Sequence, residues 1–250
     1  MKSPKQVLDI VEKSIIKVQE RSYFWTHEIR YRWILEKIKF LSNGKKLTIL
    51  DIGCFPYHVG KALELLGHTV YGIASYHEPV SNNNVAVVNI ETEKFPYAND
   101  FFDLVLCNEV IEHLPQSPIP ALREIKRVLK KNGLCMITTP NIARLVNRIK
   151  VLVGFSPMYP TDVYFENNGK GNNIYHRHNR EYTLSELVKV VRGAGFKIAE
   201  EKYFISYTPF RKRVIPDTFM LVGIKFINYA SMLFLNPFKD TLCVLGKKIS

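Results

Sequence analysis

Three side chains able to move a proton or hold a metal ion stand together in the string Glu109-Val-Ile-Glu112-His113. On a helix, positions i, i+3 and i+4 share one face, so two carboxylates and an imidazole would converge there. That set suits two chemistries. An imidazole beside an acceptor hydroxyl acts as a general base. Carboxylates joined by histidine suit a divalent ion such as Mg, Mn or Fe, which eases ionisation of a bound hydroxyl. The plainer alternative is that Glu112 and His113 only cap and orient a turn. His58, His68 and His77 read as loop or helix-surface residues. Cys54, Cys107, Cys135 and Cys243 lie far apart with no CxxC pair, each in or beside an apolar run. They read as small buried residues of a reducing compartment.

The elements that must position this string are legible around it. Asp103–Cys107 is a short apolar strand suited to the centre of a sheet. Upstream, residues 47–60 read as a buried strand, a tight turn and the start of a helix running from near Val59 through Leu66. A strand-turn-helix opening an α/β unit points backbone N–H groups into the crevice at the strand's carboxyl end, where nucleotide-like ligands bind. Further strands are predicted at Thr69–Ile73, Val85–Asn89, Leu134–Thr138, Phe196–Ser206 and Thr241–Leu245. A helix is predicted over Pro118–Lys131, stopped by Asn132-Gly133. Another spans Leu184–Arg192, capped by Thr183 with Glu186 at the capping-box position. Residues 4–42 carry apolar spacing for two helices, ending at Asn43-Gly44.

Leu50-Asp51-Ile52-Gly53-Cys54 resembles the first motif of class I S-adenosylmethionine-dependent methyltransferases. Phe102-Asp-Leu-Val105 followed by Asn108-Glu-Val-Ile-Glu-His-Leu114, and Thr139-Pro140-Asn141 after the fifth strand, are similar to the same family. The resemblance implies an α/β fold with a seven-stranded Rossmann-like sheet, mostly parallel with the last strand antiparallel. It implies one domain over residues 1–250, with an N-terminal helical cap at 1–44. Two insertions decorate it, one lid-like at 154–181 and one apolar and basic at 207–238. It implies S-adenosylmethionine held at Asp51, Gly53, Cys54, Phe55, Ala74, Glu91 and Asn108. Two departures stand out. Phe55 and Tyr57 occupy positions where the family repeats glycine, and Ala74 replaces the acid that grips the ribose hydroxyls. The second predicts weakened cofactor affinity. The cluster Tyr23-Phe24-Trp25 with Arg30 and Arg32 resembles caps in which an arginine meets the cofactor's carboxylate, although a helix simply packed over the sheet explains it too. The Glu-x-x-Glu-His string with the later His178-Asn-Arg-Glu-Tyr-Thr183 is similar to small-RNA 2′-O-methyltransferases. That likeness implies a divalent metal on Glu109, Glu112, His113 and His178, with His176 the weaker alternative. Ubiquinone-pathway O-methyltransferases share the first string. Without a metal, His113 becomes the base, seated by Glu112.

The 250 residues suffice for one decorated α/β domain, and the composition is that of a globular chain. A formal charge of +12 suggests an anionic partner (phosphate-bearing substrate, nucleic acid or acidic membrane) or a lysine-rich solvated exterior. The first residues are not followed by the apolar segment of a secretory signal, so a cytoplasmic location is expected. The run Thr218–Leu235, with Arg211, Lys212 and Arg213 before it, predicts peripheral association with an anionic membrane at its inner face. The methyltransferases of the type 11 kind that the chain resembles are often associated with polysaccharide or glycan synthesis. The resulting expectation is an O-methyltransferase acting on a sugar, glycan or related hydroxylated metabolite. Rivals are an RNA 2′-O-methyltransferase, an amino-sugar N-methyltransferase and a non-catalytic methyltransferase-like scaffold.

Overall fold

In a computed structural model, residues 2–75, 84–158, 177–206, 233 and 235–249 are described. The fold starts with two helices, α1 (Pro4–Ser14) and α2 (Val18–Ser42). Ser3 and Gln6 close α1 with a reciprocal capping box, and Asn43 ends α2 in the left-handed conformation that suits asparagine. Then come β1 (Thr48–Ile52), α3 (His58–Leu65), β2 (Thr69–Ala74), β3 (Val85–Val87) and β4 (Phe102–Asn108). A 3-10 turn at Ile111–His113 leads to α4 (Ile119–Val128), β5 (Leu129–Pro140) and α5 (Leu145–Leu152). The chain closes with α6 (Leu184–Gly193), β6 (Lys197–Phe204), a 3-10 turn at Asn236–Phe238 and β7 (Thr241–Lys247).

The strands form one sheet in the order β3-β2-β1-β4-β5-β7-β6. β1 pairs in parallel with β2 and β4, while β7 runs antiparallel between β5 and β6. Alternation along each strand sends neighbouring residues to opposite faces. Leu50, Val105 and Ile137 pack with α4 and α6, whereas Ile49, Leu104 and Met136 pack with α1, α2 and α3. Both faces are thus covered, as mostly parallel sheets require. All four cysteines are free and buried.

The predicted boundaries shift by a residue or two at β3 and β6, and by more between α4 and β5. The helix expected to reach Lys131 ends at Val128, and the next strand begins at Leu129, pairing with Phe102. Asn132-Gly133 therefore lies inside β5, where Asn132 takes a left-handed φ of 66°. The last residues leave the helix because the sheet offers their backbone partners that a helix end lacks. Lys130 is also drawn to Asp103, with Nζ 2.8 Å from the carboxylate.

Candidate active site

Parallel strands that diverge at their carboxyl ends leave a crevice there. In this chain a cavity of about 770 Å³ opens beyond β1, β2 and β4, with α2 as its outer wall. Asp51, Gly53, Cys54, Phe55, Ala74 and Asn108 stand on its wall. Gly53 has φ +70°, and a Cβ there would lie 2.6 Å from Val110 Cγ2, so only glycine fits the turn. The two aromatic departures are accommodated differently. Phe55 is part of the wall, whereas the Tyr57 ring lies against Gly60, where any side chain would collide with it, and its hydroxyl donates to Glu64 Oε1 at 3.0 Å. The crevice stays open because α3 has a glycine under that ring.

The cavity wall contains polar groups prepared for a ligand. Asn108 Nδ2 and Oδ1 are buried and have no hydrogen-bond partner among the described residues. Asp51 is buried, and desolvation raises its carboxyl from 3.8 to about 7. Ala74 and Ser75 stand at the end of β2, so no carboxylate waits at that position. Glu91 falls outside the wall, where Asn89 and Ile90 stand instead. Its Oε1 accepts from Gln116 N at 3.0 Å, because the loop after β3 turns it inward. Glu91, expected as a cofactor contact, ties two loops together through this oxygen, while its Oε2 is buried with no hydrogen-bond partner among the described residues.

The Glu-x-x-Glu-His string does not form a helix. Glu109 has φ +54°, a left-handed conformation that is strained for a residue with a side chain, and only Ile111–His113 continue as a 3-10 turn. The shared helical face expected for Glu109 and Glu112 therefore does not exist. Glu109 turns to α2 instead, 3.0 Å from Arg30 Nη1, and accepts from Thr138 Oγ1 at 3.0 Å. Burial works against the charge on Arg30, but Glu109, followed by Tyr31, Tyr23 and Glu112, together outweigh it, so the Arg30 pKa is raised. Arg30 and Glu109 both face the cavity. Glu112 is completely buried: Oε2 accepts from Thr139 Oγ1 at 3.0 Å, while Oε1 has no hydrogen-bond partner among the described residues. Its pKa is pushed well up, first by desolvation and then by Glu109.

His113 and His178 meet beside Glu112. Their rings stand edge to face at 4.9 Å between centroids, and His113 Nε2 lies 3.9 Å from Glu112 Oε1. One ligand atom from each of Glu112, His113 and His178 falls within 4.8 Å of the others. Glu109 does not join this group. Residues at the end of the expected lid bring His178 there: Asn179 and Arg180 N–H groups donate to the Glu112 carbonyl at 2.7 and 3.2 Å. Asn179 Nδ2 donates to the His113 carbonyl at 2.7 Å, and the Thr183–Glu186 capping box anchors the first turn of α6. His113 Nδ1 is engaged by the Arg177 carbonyl at 3.1 Å, and His178 Nδ1 by Glu181 at 2.8 Å.

One further expectation changes, that for His58, while His68 keeps its expected place in a loop. His58 is buried rather than on a surface, with Nε2 3.0 Å from Glu20 Oε1, and so ties α3 to α2. His68 is half-buried and accepts from Leu47 N at 3.2 Å. His77, His176, Arg211–Arg213 and nearly all of the Thr218–Leu235 run lie outside the described residues. Among the described residues, no helix is long and apolar enough to cross a membrane. Sequence reasoning missed Glu20, Tyr31 and Asn89 on the cavity wall. No local pattern marks them; only packing of α2 and the β3 loop over β1 brings them in.

A doubly wound sheet with its last strand antiparallel and a polar crevice at the first strand's end defines the class I methyltransferase fold. Residues 25–201 match the family described as a methyltransferase domain, and the chain belongs to this family of S-adenosylmethionine-dependent methyltransferases. It is similar to the ubiquinone biosynthesis O-methyltransferase of Rickettsia bellii, 28% identical over 193 residues, 71% of this chain and 78% of that protein. The protein of that name from Rickettsia prowazekii is 29% identical over 224 residues, 79% and 86% of the two chains. Among solved structures, a SAM-dependent methyltransferase from Archaeoglobus fulgidus superposes with TM-score 0.53 at 14% identity, covering 91% of this chain and 99% of that one. A possible histamine N-methyltransferase from Thermotoga maritima gives 0.54 at 18%, covering 97% and 99%. These structural likenesses are likenesses of fold.

Proposed function

We propose that this enzyme transfers a methyl group to a hydroxyl oxygen of a small hydroxylated metabolite, with His113 as the base. The observation that carries the reading is His113 itself, on the cavity wall with Nδ1 against the Arg177 carbonyl. The relatives named as O-methyltransferases support oxygen as the acceptor atom, and ubiquinone biosynthesis favours a hydroxylated metabolite over the expected sugar or glycan. The crevice suits the cofactor. Gly53 lets backbone approach it, Asp51 and the Asn108 amide, unpartnered among the described residues, offer it polar contacts, and Phe55 offers an apolar face. S-adenosylmethionine supplies the activated methyl group.

The chain's own residues do the rest. With Nδ1–H donated to the Arg177 carbonyl, Nε2 of His113 keeps its lone pair and takes the hydroxyl proton as the oxygen attacks. Burial pushes the pKa of the neighbouring Glu112 carboxyl well up. The Arg30–Glu109 pair fixes α2 over the cavity and helps exclude water. Alignment of oxygen and methyl supplies most of the remaining acceleration. His113→Ala should lower kcat by roughly 10²–10⁴-fold while cofactor affinity by calorimetry stays within a few fold. A variant that keeps wild-type kcat on its hydroxylated acceptor would sink the reading.

A second reading rests on Glu112, His113 and His178. A buried carboxylate oxygen without a partner beside two histidines, each with Nδ1 engaged by an oxygen, is the donor set of a divalent cation site. A cation there would polarise the acceptor oxygen, with Glu109 outside the ligand set. Manganese titrated by calorimetry should bind wild-type protein and not Glu112→Gln. Full activity after chelation, with no manganese heat, leaves His113 alone.

A further inference from the structure

α5 is unlike the other helices. Only Asn147 is buried, although the helix and the residues after it are rich in aliphatic side chains. Ile149, Val151, Leu152, Val153, Phe155 and Met158 are all exposed, Leu152 at 85% of its surface. Arg144, Arg148 and Lys150 stand among them, and the sequence has no Asp or Glu between Glu124 and Asp162. The patch continues across the 3-10 turn before β7. The Arg148 guanidinium lies 5.4 Å from the Phe238 ring centre, Asn141 Nδ2 donates to the Pro237 and Lys239 carbonyls, and exposed Leu235 begins the turn. An exposed apolar surface of this extent marks a binding face.

We infer that α5 and the residues following it dock this enzyme on an anionic phospholipid bilayer. Charge complementarity selects the occupant. Protruding aliphatic groups enter the acyl boundary while the neighbouring cations meet phosphate headgroups, as in interfacial helices. Nucleic acid would answer the cations but leave Val151, Leu152 and Val153 in water. A second observation agrees. Ile16 and Val18 project into solvent, Ile16 at 91% exposure, on either side of Lys17, which stands on the cavity wall. That α1–α2 corner and the start of α5 both belong to the carboxyl edge of the sheet. Docking by this edge turns the cavity mouth toward the bilayer and admits acceptors dissolved in lipid, which deepens the hydroxylated-metabolite reading and rests on it.

The test is vesicle flotation of the full chain, with vesicles of phosphatidylcholine alone or mixed with phosphatidylglycerol. Wild-type protein should float with the anionic vesicles, bind them less as salt rises, and ignore the neutral ones. The double variant Leu152→Glu, Val153→Glu should bind at least ~tenfold more weakly, with an unchanged melting curve and unchanged cofactor heat. Wild-type protein that stays soluble with anionic vesicles at low salt overturns the inference. So does undiminished binding by the double variant, which would place the contact elsewhere. A wild-type dimer in light scattering that the double variant loses, without vesicle binding, would overturn the inference and assign the face to a second copy, and capture of a short RNA instead of vesicles would assign it to nucleic acid. Cofactor heat and turnover on a soluble acceptor report on methyl transfer separately, so failure of either proposal is recognised by itself.

Discussion

Two polar regions flank β4, and they are built on opposite principles. On the α4 side, Arg127 has every donor used. Nε and Nη2 grip the Glu124 carboxylate at 2.8 and 2.7 Å, Nη1 meets the Tyr97 carbonyl and Asn99, and Nη2 also meets the Phe95 carbonyl. At the carboxyl end of the same strand, among the described residues, Asn108 has neither amide atom paired, and Glu112 leaves one oxygen unpaired in complete burial. A satisfied network holds loops in place. An unsatisfied one makes folding harder by the desolvation of each orphaned group, and becomes favourable when a ligand supplies the missing partner. Orphaned atoms also occur away from the crevice, at Arg21 Nε and His58 Nδ1, so they point to a site only where the group reaches the cavity, as Asn108 does.

Breaking the satisfied side should give the largest loss of stability with the smallest loss of function. Arg127→Ala strips partners from the Phe95 and Tyr97 carbonyls and from Glu124, and should lower unfolding free energy by about 2–4 kcal/mol. Denaturant titration measures this, while cofactor affinity below the transition should hold. The reverse pattern is expected in the crevice. Gly53→Ala puts a Cβ against Val110 in a left-handed conformation, and cofactor binding should weaken about a hundredfold in calorimetry. An effect on stability with none on affinity would show that the turn is scaffold after all.

Smaller changes sharpen the contrast. Ala74→Asp supplies a carboxylate at the end of β2 for the ribose hydroxyls and should tighten cofactor binding about tenfold. The pH dependence of Asp51 comes from its raised carboxyl, at about 7 in the fold against 3.8 ordinarily. The folded state holds this proton more tightly than the unfolded chain. Its contribution to stability is therefore complete below about pH 4 and is lost as pH rises through about 7. Ligand donors favour the ionised form, so cofactor affinity should rise severalfold from pH 5.5 to about 7 and then level off, with proton release on binding. Calorimetry in buffers of different ionisation enthalpy reads that proton, and Asp51→Asn should abolish both effects.

The strands, their order of appearance and the capped helix α6 were legible in the residues themselves. Alternation of apolar side chains, Asn43-Gly44 and Thr183 with Glu186 are local signals, and local backbone chemistry enforces them. The position of the crevice was legible for the same reason: a strand that ends in Asp51-Ile52-Gly53 cannot continue through a glycine at φ +70°. Where side chains point was another matter. Sequence spacing put Glu109 and Glu112 on one helical face, but a left-handed Glu109 sends one carboxylate to Arg30 of α2 and the other beneath Thr139 of β5. Sequence motif likeness brought His178 to His113, yet the hydrogen bonds that hold it there run from Asn179 and Arg180 to the Glu112 carbonyl across more than 60 residues of chain. Pairings at that separation are chosen by which buried polar groups find partners once the sheet has closed. A run of residues fixes the backbone's local options, and only the packed structure decides which carboxylate is satisfied and which is left waiting.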